Sequence, residues 1–425
     1  MIRAIIILLI FLVVAVLMFK NKLPTFLALL IMGLGIAIAG GAPLTGDTGI
    51  LTYVIDSGTI NMASSVAALI TGAWLGEILM STGIAEEFIY QAAKLAKGRA
   101  TLMAIILSAA VVFLFTAVNG LGAVIMLGTL VLPIWKAAGI DDTAAGVMMN
   151  YSKSLGGMLN LIQWSVYTSA LGIAAETMKP YGITVLLVGS AGLIIFIFLN
   201  VYRKEKNNPA KFDMATLEEN HKPVGSGVKL GLFTPLIPLI LILGFNWPIV
   251  PALLVACLFA AVVTSGKDII KVLNKTAVAG CKSAAPSIWI LTCIGIVILA
   301  VKTPGVTENM GMLLTNIMPS SLIGYIVLFI ILAPLSLYRG PMSIWGMGAG
   351  VLALIVGLDI LPMEAVLGAF MACHLFATAG DPTFSLQIWI ADKCNIEAFE
   401  ITKKSFIYLW AVAAICIIYF GFRYI

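Results

Sequence analysis

An arginine in an apolar setting is the first residue of this sequence that could do chemistry. Arg339 stands in LAPLSLYRGPMSIWG. At bilayer depth an arginine costs at least about 2.5–3.5 kcal/mol on insertion scales, so it pairs with an anion or lines an aqueous path. Its planar fork fits a carboxylate bidentately. A structural pair with Asp381 or Asp359, or a loop nearer the surface, is the competing expectation. Asp381 is the second such residue, in Gly380-Asp381-Pro382-Thr383. It could bind a proton or Na⁺ and couple transport to a gradient. It could equally cap a half-helix that starts after Pro382, and the two roles are compatible.

Two polar sets accompany them. The first half of the chain offers Asn119, Asn150, Lys153, Ser154, Asn160 and Gln163; the second offers Ser343, Thr378, Thr383, Ser385 and Gln387. Asn119 and Asn160 read as hydrogen-bond donors to a substrate. Lys153 either balances a carboxylate or snorkels to the interface. His374, in MACHLFATAG, is a proton relay or a hydrogen-bonded core histidine. Glu77 is an intramembrane or an interfacial carboxylate, and His221 lies in a polar linker. Trp135, Trp164, Trp345 and Trp389 read as packing or interface anchors. No nucleotide loop, HExxH or GxSxG elbow appears, so neither ATP drive nor hydrolysis has support and no enzyme is expected.

Such residues need elements to position them, and the composition says which kind. The chain has 425 residues, 61% hydrophobic and only 11% charged, too little polar matter to clothe a water-soluble fold of that size. Apolar runs such as Ile5–Phe19, Leu230–Phe245 and Ile288–Val301 are continuous, which argues for spanning helices in a lipid bilayer and against a barrel. With 40 Gly and 17 Pro, helices that break and approach closely are expected. The net charge of +5 implies no nucleic-acid partner, since the basic residues sit in short connections where they report topology. The six cysteines have no metal-ligand spacing and read as small buried hydrophobes.

The chain divides at a polar stretch, 203–229, read as a cytoplasmic linker. Residues 1–202 and 230–425 then form two repeats of about five transmembrane helices each. The Lys/Arg distribution works if 101–136 and 323–357 each return to the side they left. Both carry a breaker, Asn119-Gly120 and Arg339-Gly340-Pro341, as a re-entrant hairpin would. Each hairpin precedes a broken helix, about 142–175 and about 362–391. The breaks are Ser154-Leu155-Gly156-Gly157-Met158-Leu159-Asn160 and Ala377-Thr378-Ala379-Gly380-Asp381-Pro382-Thr383. An odd number of crossings per half inverts the second copy, the build of secondary transporters, whose sites lie where the breaks meet. Helix 3 is expected at about 60–81, and its counterpart at about 284–301 after a basic connection.

LYRGPMSIWGMGAG (337–350) and ATAGDPTFSLQIW (377–389) resemble the ion-transporter superfamily, closest to its citrate–metal/proton symporter and gluconate/dicarboxylate permease branches. The resemblance covers nearly the whole chain in layout. It implies an all-α polytopic fold, elevator-like movement, dimers, and organic-anion import coupled to H⁺ or Na⁺, with no other cofactor, in a bacterial or archaeal inner membrane. By the same resemblance Asn119, Gly120, Arg339 and Gly340 match substrate-contact positions at the tips, and Gly157, Asn160, Thr378 and Asp381 match the breaks. Ser343 and Thr383 join the expected substrate set, and Gly380, Ser154 and Gln387 join Asp381 around the coupling ion. The Ser-Asn-Thr signature of the divalent-anion/sodium branch is missing at both sites. A cation/proton exchanger, the membrane subunit of a binding-protein-dependent carboxylate carrier, and a non-transporting membrane enzyme or assembly factor are the alternatives.

Overall fold

Apolar helices account for nearly all of the chain, and their order repeats. The computed structural model describes residues 2–20, 22–96, 98–207, 223–319 and 321–425. Of the expected linker, residues 208–222, including Lys211, His221 and Lys222, lie outside the described residues. The first half runs α1 (Ile2–Phe19), α2 (Thr25–Gly40), α3 (Ile50–Ser81), α4 (Ile84–Leu95) and α5 (Ala100–Phe115). It continues with α6 (Leu121–Ala137), α7 (Asp142–Gly157), α8 (Leu161–Leu171) and α9 (Lys179–Ile197). The second half has α10 (Leu236–Phe245), α11 (Ile249–Ser265), α12 (Ile269–Val301), α13 (Pro304–Ile317) and α14 (Leu322–Leu332). It ends with α15 (Gly348–Gly357), α16 (Met363–Gly380), α17 (Ser385–Cys394) and α18 (Ala398–Tyr424). Each element has its counterpart nine places on. The chain is an all-α polytopic membrane protein, with seven stretches among the described residues long and apolar enough to cross a bilayer. Exposed apolar side chains, among them Leu12, Ile194, Trp289 and Ile407, give these helices a lipid-compatible outer surface.

Two helices are longer than the sequence reading allowed. α3 starts with a π-helical turn over Ile50–Ser57, in a stretch expected to be loop, and α12 starts fifteen residues before the expected boundary at 284. Lys271, Lys275 and Lys282 were read as a connection, but they are exposed residues of one helix. Lysine is a good helix former, and a helix can carry its charges into the aqueous layer.

Packing sorts the elements into two bodies. In one, α12 lies against α2 and α3, and α11 against α3, so the halves interlock. The contact is close because Gly58 and Gly295 face each other: a Cβ built on Gly295 would meet the Gly58 carbonyl oxygen at 2.0 Å. In the other body α7, α9, α16 and α18 pack on one another and carry the two hairpins, α5–α6 against α7 and α17, α14 against α18. Among the links between the bodies are α4 and α13, each following the long scaffold helix of its half.

Candidate functional site

Both breaks are built so that their freed backbone groups find partners. At the first, α7 ends at Gly157 and Asn160 begins α8, its Oδ1 accepting the Ile162 amide at 3.0 Å. The Asn160 amide group donates to the carbonyls of Phe115 (2.8 Å) and Val118 (3.0 Å) in the tip of the first hairpin. Trp164 Nε1 satisfies the Met158 carbonyl at 2.8 Å. Gly120 turns the tip at φ +93°, a conformation that favours glycine.

At the second break Pro382 removes an amide and Asp381 replaces the helical pattern with its side chain. Its Oδ1 accepts from the Thr383 amide (2.8 Å) and hydroxyl (2.7 Å), and its Oδ2 accepts the Arg339 amide at 2.9 Å. That amide points at Asp381 because Tyr338 and Arg339 both adopt left-handed backbone, φ +55° and +57°. The last carbonyls of α16 are taken as well. Lys153 Nζ donates to Thr378 (2.8 Å), Asn150 Nδ2 to Ala379 (2.6 Å) and Thr402 Oγ1 to Gly380 (2.7 Å).

Between the two breaks and the two tips lies a cavity of ≈ 150 Å³. Lys153, Arg339 and His374 stand in its wall with Asn119, Gln163 and Thr378, and no carboxylate among the described residues lines it. The Arg339 guanidinium lies 3.8 Å over the centroid of the Phe384 ring, and its Nη1 donates to the Trp345 carbonyl at 3.0 Å. Its Nε has no hydrogen-bond partner among the described residues. Neither Arg339 nor Lys153 makes an ion pair among the described residues, so the expected pairing of Arg339 with Asp359 or with the Asp381 carboxylate does not occur. Asp381 meets the backbone of Arg339, not its side chain. Trp345 Nε1 bonds Gln163 Oε1, and Gln163 Nε2 reaches Asn119 Oδ1 at 3.5 Å, so a glutamine of the first break touches both tips.

This architecture has solved counterparts. The Alcanivorax borkumensis YdaH transporter superposes with a TM-score of 0.64 at 13% identity, covering 93% of this chain and 97% of its own. Neisseria gonorrhoeae MtrF, described with a class of antimetabolite efflux pumps, superposes with 0.56 at 13% identity, covering 94% and 95%. The chain shares the fold of these two structures. At that identity the likeness stops there, and it does not reach the citrate or gluconate branches. No protein-family model matches the sequence, and no curated protein does.

Within that fold the expected site residues separate. Asn119, Gly120, Ser154, Gly157, Asn160, Arg339 and Thr378 line the cavity. Gly340, Ser343, Thr383, Gly380, Asp381 and Gln387 do not. Asp381 and Ser343 are buried behind the wall, and Gln387 bonds Asn150, Thr402 and the Ala398 carbonyl instead of facing the cavity. Asn160 lines it but spends both amide hydrogens on the hairpin tip. Glu77 lies against Gly122 at the start of α6, off the cavity. Ser283, Pro286 and Ser287 of α12 complete the wall from the scaffold side. Two serines one turn apart around a proline were the signal for them. Cys281 is exposed on α12, whereas the other five cysteines are buried as expected. Trp135, Trp164 and Trp345 are buried and Trp389 is half-buried: Trp135 donates to Met103 and Trp389 packs on Gly128.

Proposed function

We propose that this chain is a secondary carrier for a small organic anion of the citrate, gluconate or dicarboxylate kind. One observation carries the reading: a cavity at the meeting point of two helix breaks holds Lys153 and Arg339 and, among the described residues, not one carboxylate. Positive charge confined in low dielectric is costly: Arg339 has the buried Asp381 behind the wall to offset part of it, Lys153 has only neutral acceptors, and a bound carboxylate relieves the remainder. The unpartnered Nε beside the guanidinium is a free donor for it. The cavity volume selects short, compact acids. Coupling is to H⁺ or Na⁺, in a bacterial or archaeal inner membrane and as a homodimer. An elevator movement fits two bodies of helices, the scaffold of α2, α3, α11 and α12 and the body that carries both hairpins and both breaks.

A cation exchanger without organic substrate is the weaker reading, because its site would need an anionic wall. Proteoliposomes loaded with the purified chain provide the test. Uptake of labelled succinate, citrate or gluconate under an imposed pH or Na⁺ gradient is expected, with loss of at least about tenfold in affinity in Arg339→Ala, as for a lost charge-assisted bond. Cation flux indifferent to every carboxylate would overturn the reading.

A further inference from the structure

Lys153 occupies the place where a half-helix receives a cation. α16 stops at Gly380, and its last carbonyls carry the negative end of the helix dipole. Three side chains already hold them: Lys153 on Thr378, Asn150 on Ala379 and Thr402 on Gly380. A metal ion would have to displace one of these. The ammonium itself has only neutral acceptors, the Thr378 carbonyl and Ser154 Oγ at 3.1 Å, and it is 5% exposed. With the cavity empty, a charge in that position lacks compensation, and the neutral amine is favoured. A carboxylate in the cavity reverses the preference by supplying the counter-charge.

We propose that Lys153 is the proton-binding site of the carrier and that the transported anion is its counter-ion, so that each anion moves with one proton. The inference deepens the anion-carrier reading and rests on it. In balance, a proton from water joins the lone pair of Nζ as the carboxylate arrives, and the ammonium–carboxylate pair crosses with no net charge gained from that carboxylate. On the far side the carboxylate leaves, the ammonium loses its compensation, and the proton departs to water through the same opening.

The repeat supports the assignment. His374 lies 221 residues after Lys153, the same spacing that separates the starts of α7 and α16. Both repeats therefore put a basic side chain at one helical position on the cavity wall. His374 Nδ1 is held by the Tyr167 hydroxyl at 3.0 Å, and Nε2 has no hydrogen-bond partner among the described residues. His374 and Arg339 are the other basic groups on the cavity that Lys153 lines. Among the elements packed on α7, α5 brings no titratable side chain, and α6 brings Lys136, paired with Asp142 at the opposite end of α7. α17 brings Cys394 to that same end, α18 brings Cys416 beside Tyr151, and α9 brings Tyr181, packed on Phe420 and Tyr424.

The test counts protons. Purified protein in weakly buffered detergent at about pH 8, above the carboxylate range, is titrated with succinate, citrate and gluconate while a pH dye reports against a protein-free blank. Uptake of about one proton per bound anion is expected. Lys153→Met and Lys153→Arg should each bind anion, the first more weakly, and take up none. Lys153→Arg tests the idea even if the methionine variant does not fold, because it keeps a charge that cannot leave. Binding without proton uptake in the wild type, binding that requires Na⁺ instead, or proton uptake persisting in Lys153→Arg would each overturn the inference and leave the anion carrier standing. No binding of any of the three acids would remove the carrier reading and this inference with it.

Discussion

Asn160 and Asp381 hold the same post in the two repeats with opposite hydrogen-bond polarity. They lie 221 residues apart, each in the break of its helix, and each pins the hairpin tip of its own repeat. The first tip ends α5 and presents spare carbonyls, so an amide that can donate is required there. The second tip turns through left-handed Tyr338 and Arg339 and presents an N–H, which a carboxylate accepts. The two hairpins are thereby fastened to the half-helices of their own repeats.

Exchanging the two side-chain chemistries should break each fastening. Asn160→Asp sets a carboxylate against the carbonyl oxygens of Phe115 and Val118. Asp381→Asn keeps the bonds to Thr383 but turns an amide donor toward the Arg339 N–H. We expect each variant to lose about 1–3 kcal/mol, the usual cost of an unsatisfied buried polar group, and to bind anion poorly because the tip is free. Thermal unfolding in detergent beside an anion-binding titration measures both. Wild-type unfolding and binding in both variants would show that the tips are held by something else.

A second contact spans the repeats. Trp345 of the second tip bonds Gln163, which also reaches Asn119 of the first. Trp345→Phe keeps the ring and removes the donor. One hydrogen bond is worth about 0.5–1.5 kcal/mol, so anion affinity should fall by roughly two- to tenfold with the fold intact. Thiol labelling of Asn119→Cys, in a chain whose exposed Cys281 is Ser, should speed up in the variant as the tips part. Unchanged labelling would mean that the bridge does not close the cavity.

How much of this was legible in the sequence depended on the kind of signal. Breakers within long apolar runs located both hairpins and both interrupted helices, because Gly, Pro and Asn act locally on the backbone. The start of α12 was not legible: Lys271, Lys275 and Lys282 look alike in a loop and on a helix leaving the bilayer. Among site residues, polar type alone could not say which way a side chain turns. Asp381, Thr383 and Gln387 stand in the right segment, yet each spends its hydrogen bonds on the frame. Lys153 was ambiguous for the same reason: it is buried with Nζ on the Thr378 carbonyl, where the sequence equally allowed it to snorkel to the interface.

Gly295 tests the scaffold. A methyl group there would overlap the Gly58 carbonyl oxygen, which belongs to the backbone and cannot rotate aside. Gly295→Ala should therefore separate α3 from α12 and cost about 1–3 kcal/mol, the range for overpacking. Gly244, with open space around its Cβ position, is the control, and its alanine variant should match wild type. The readout is the monodisperse fraction on size exclusion after heating; equal loss in both variants would deny the close crossing its role.

The connection between α6 and α7 carries a pH dependence whose sign can be worked out. Asp141 caps α7 through the Ala144 amide at 2.9 Å and bonds Lys204 Nζ at 2.6 Å. Burial works against its charge, but Lys204 and the amide outweigh burial and hold the carboxyl below its ordinary 3.8. A carboxyl depressed on folding stabilises the fold above its unfolded value, and that contribution fades as pH falls through the folded one. Asp141→Asn retains the cap and loses the charge, so it should be less stable than wild type at pH 7 by less than about 1 kcal/mol, since the pair is partly exposed. The gap should shrink in salt and close in acid, once the pH has fallen through the folded value. Inactivation half-lives of the two proteins, compared at both pH values, decide the matter: a difference that persists in acid would assign the effect to cap geometry and not to the ion pair.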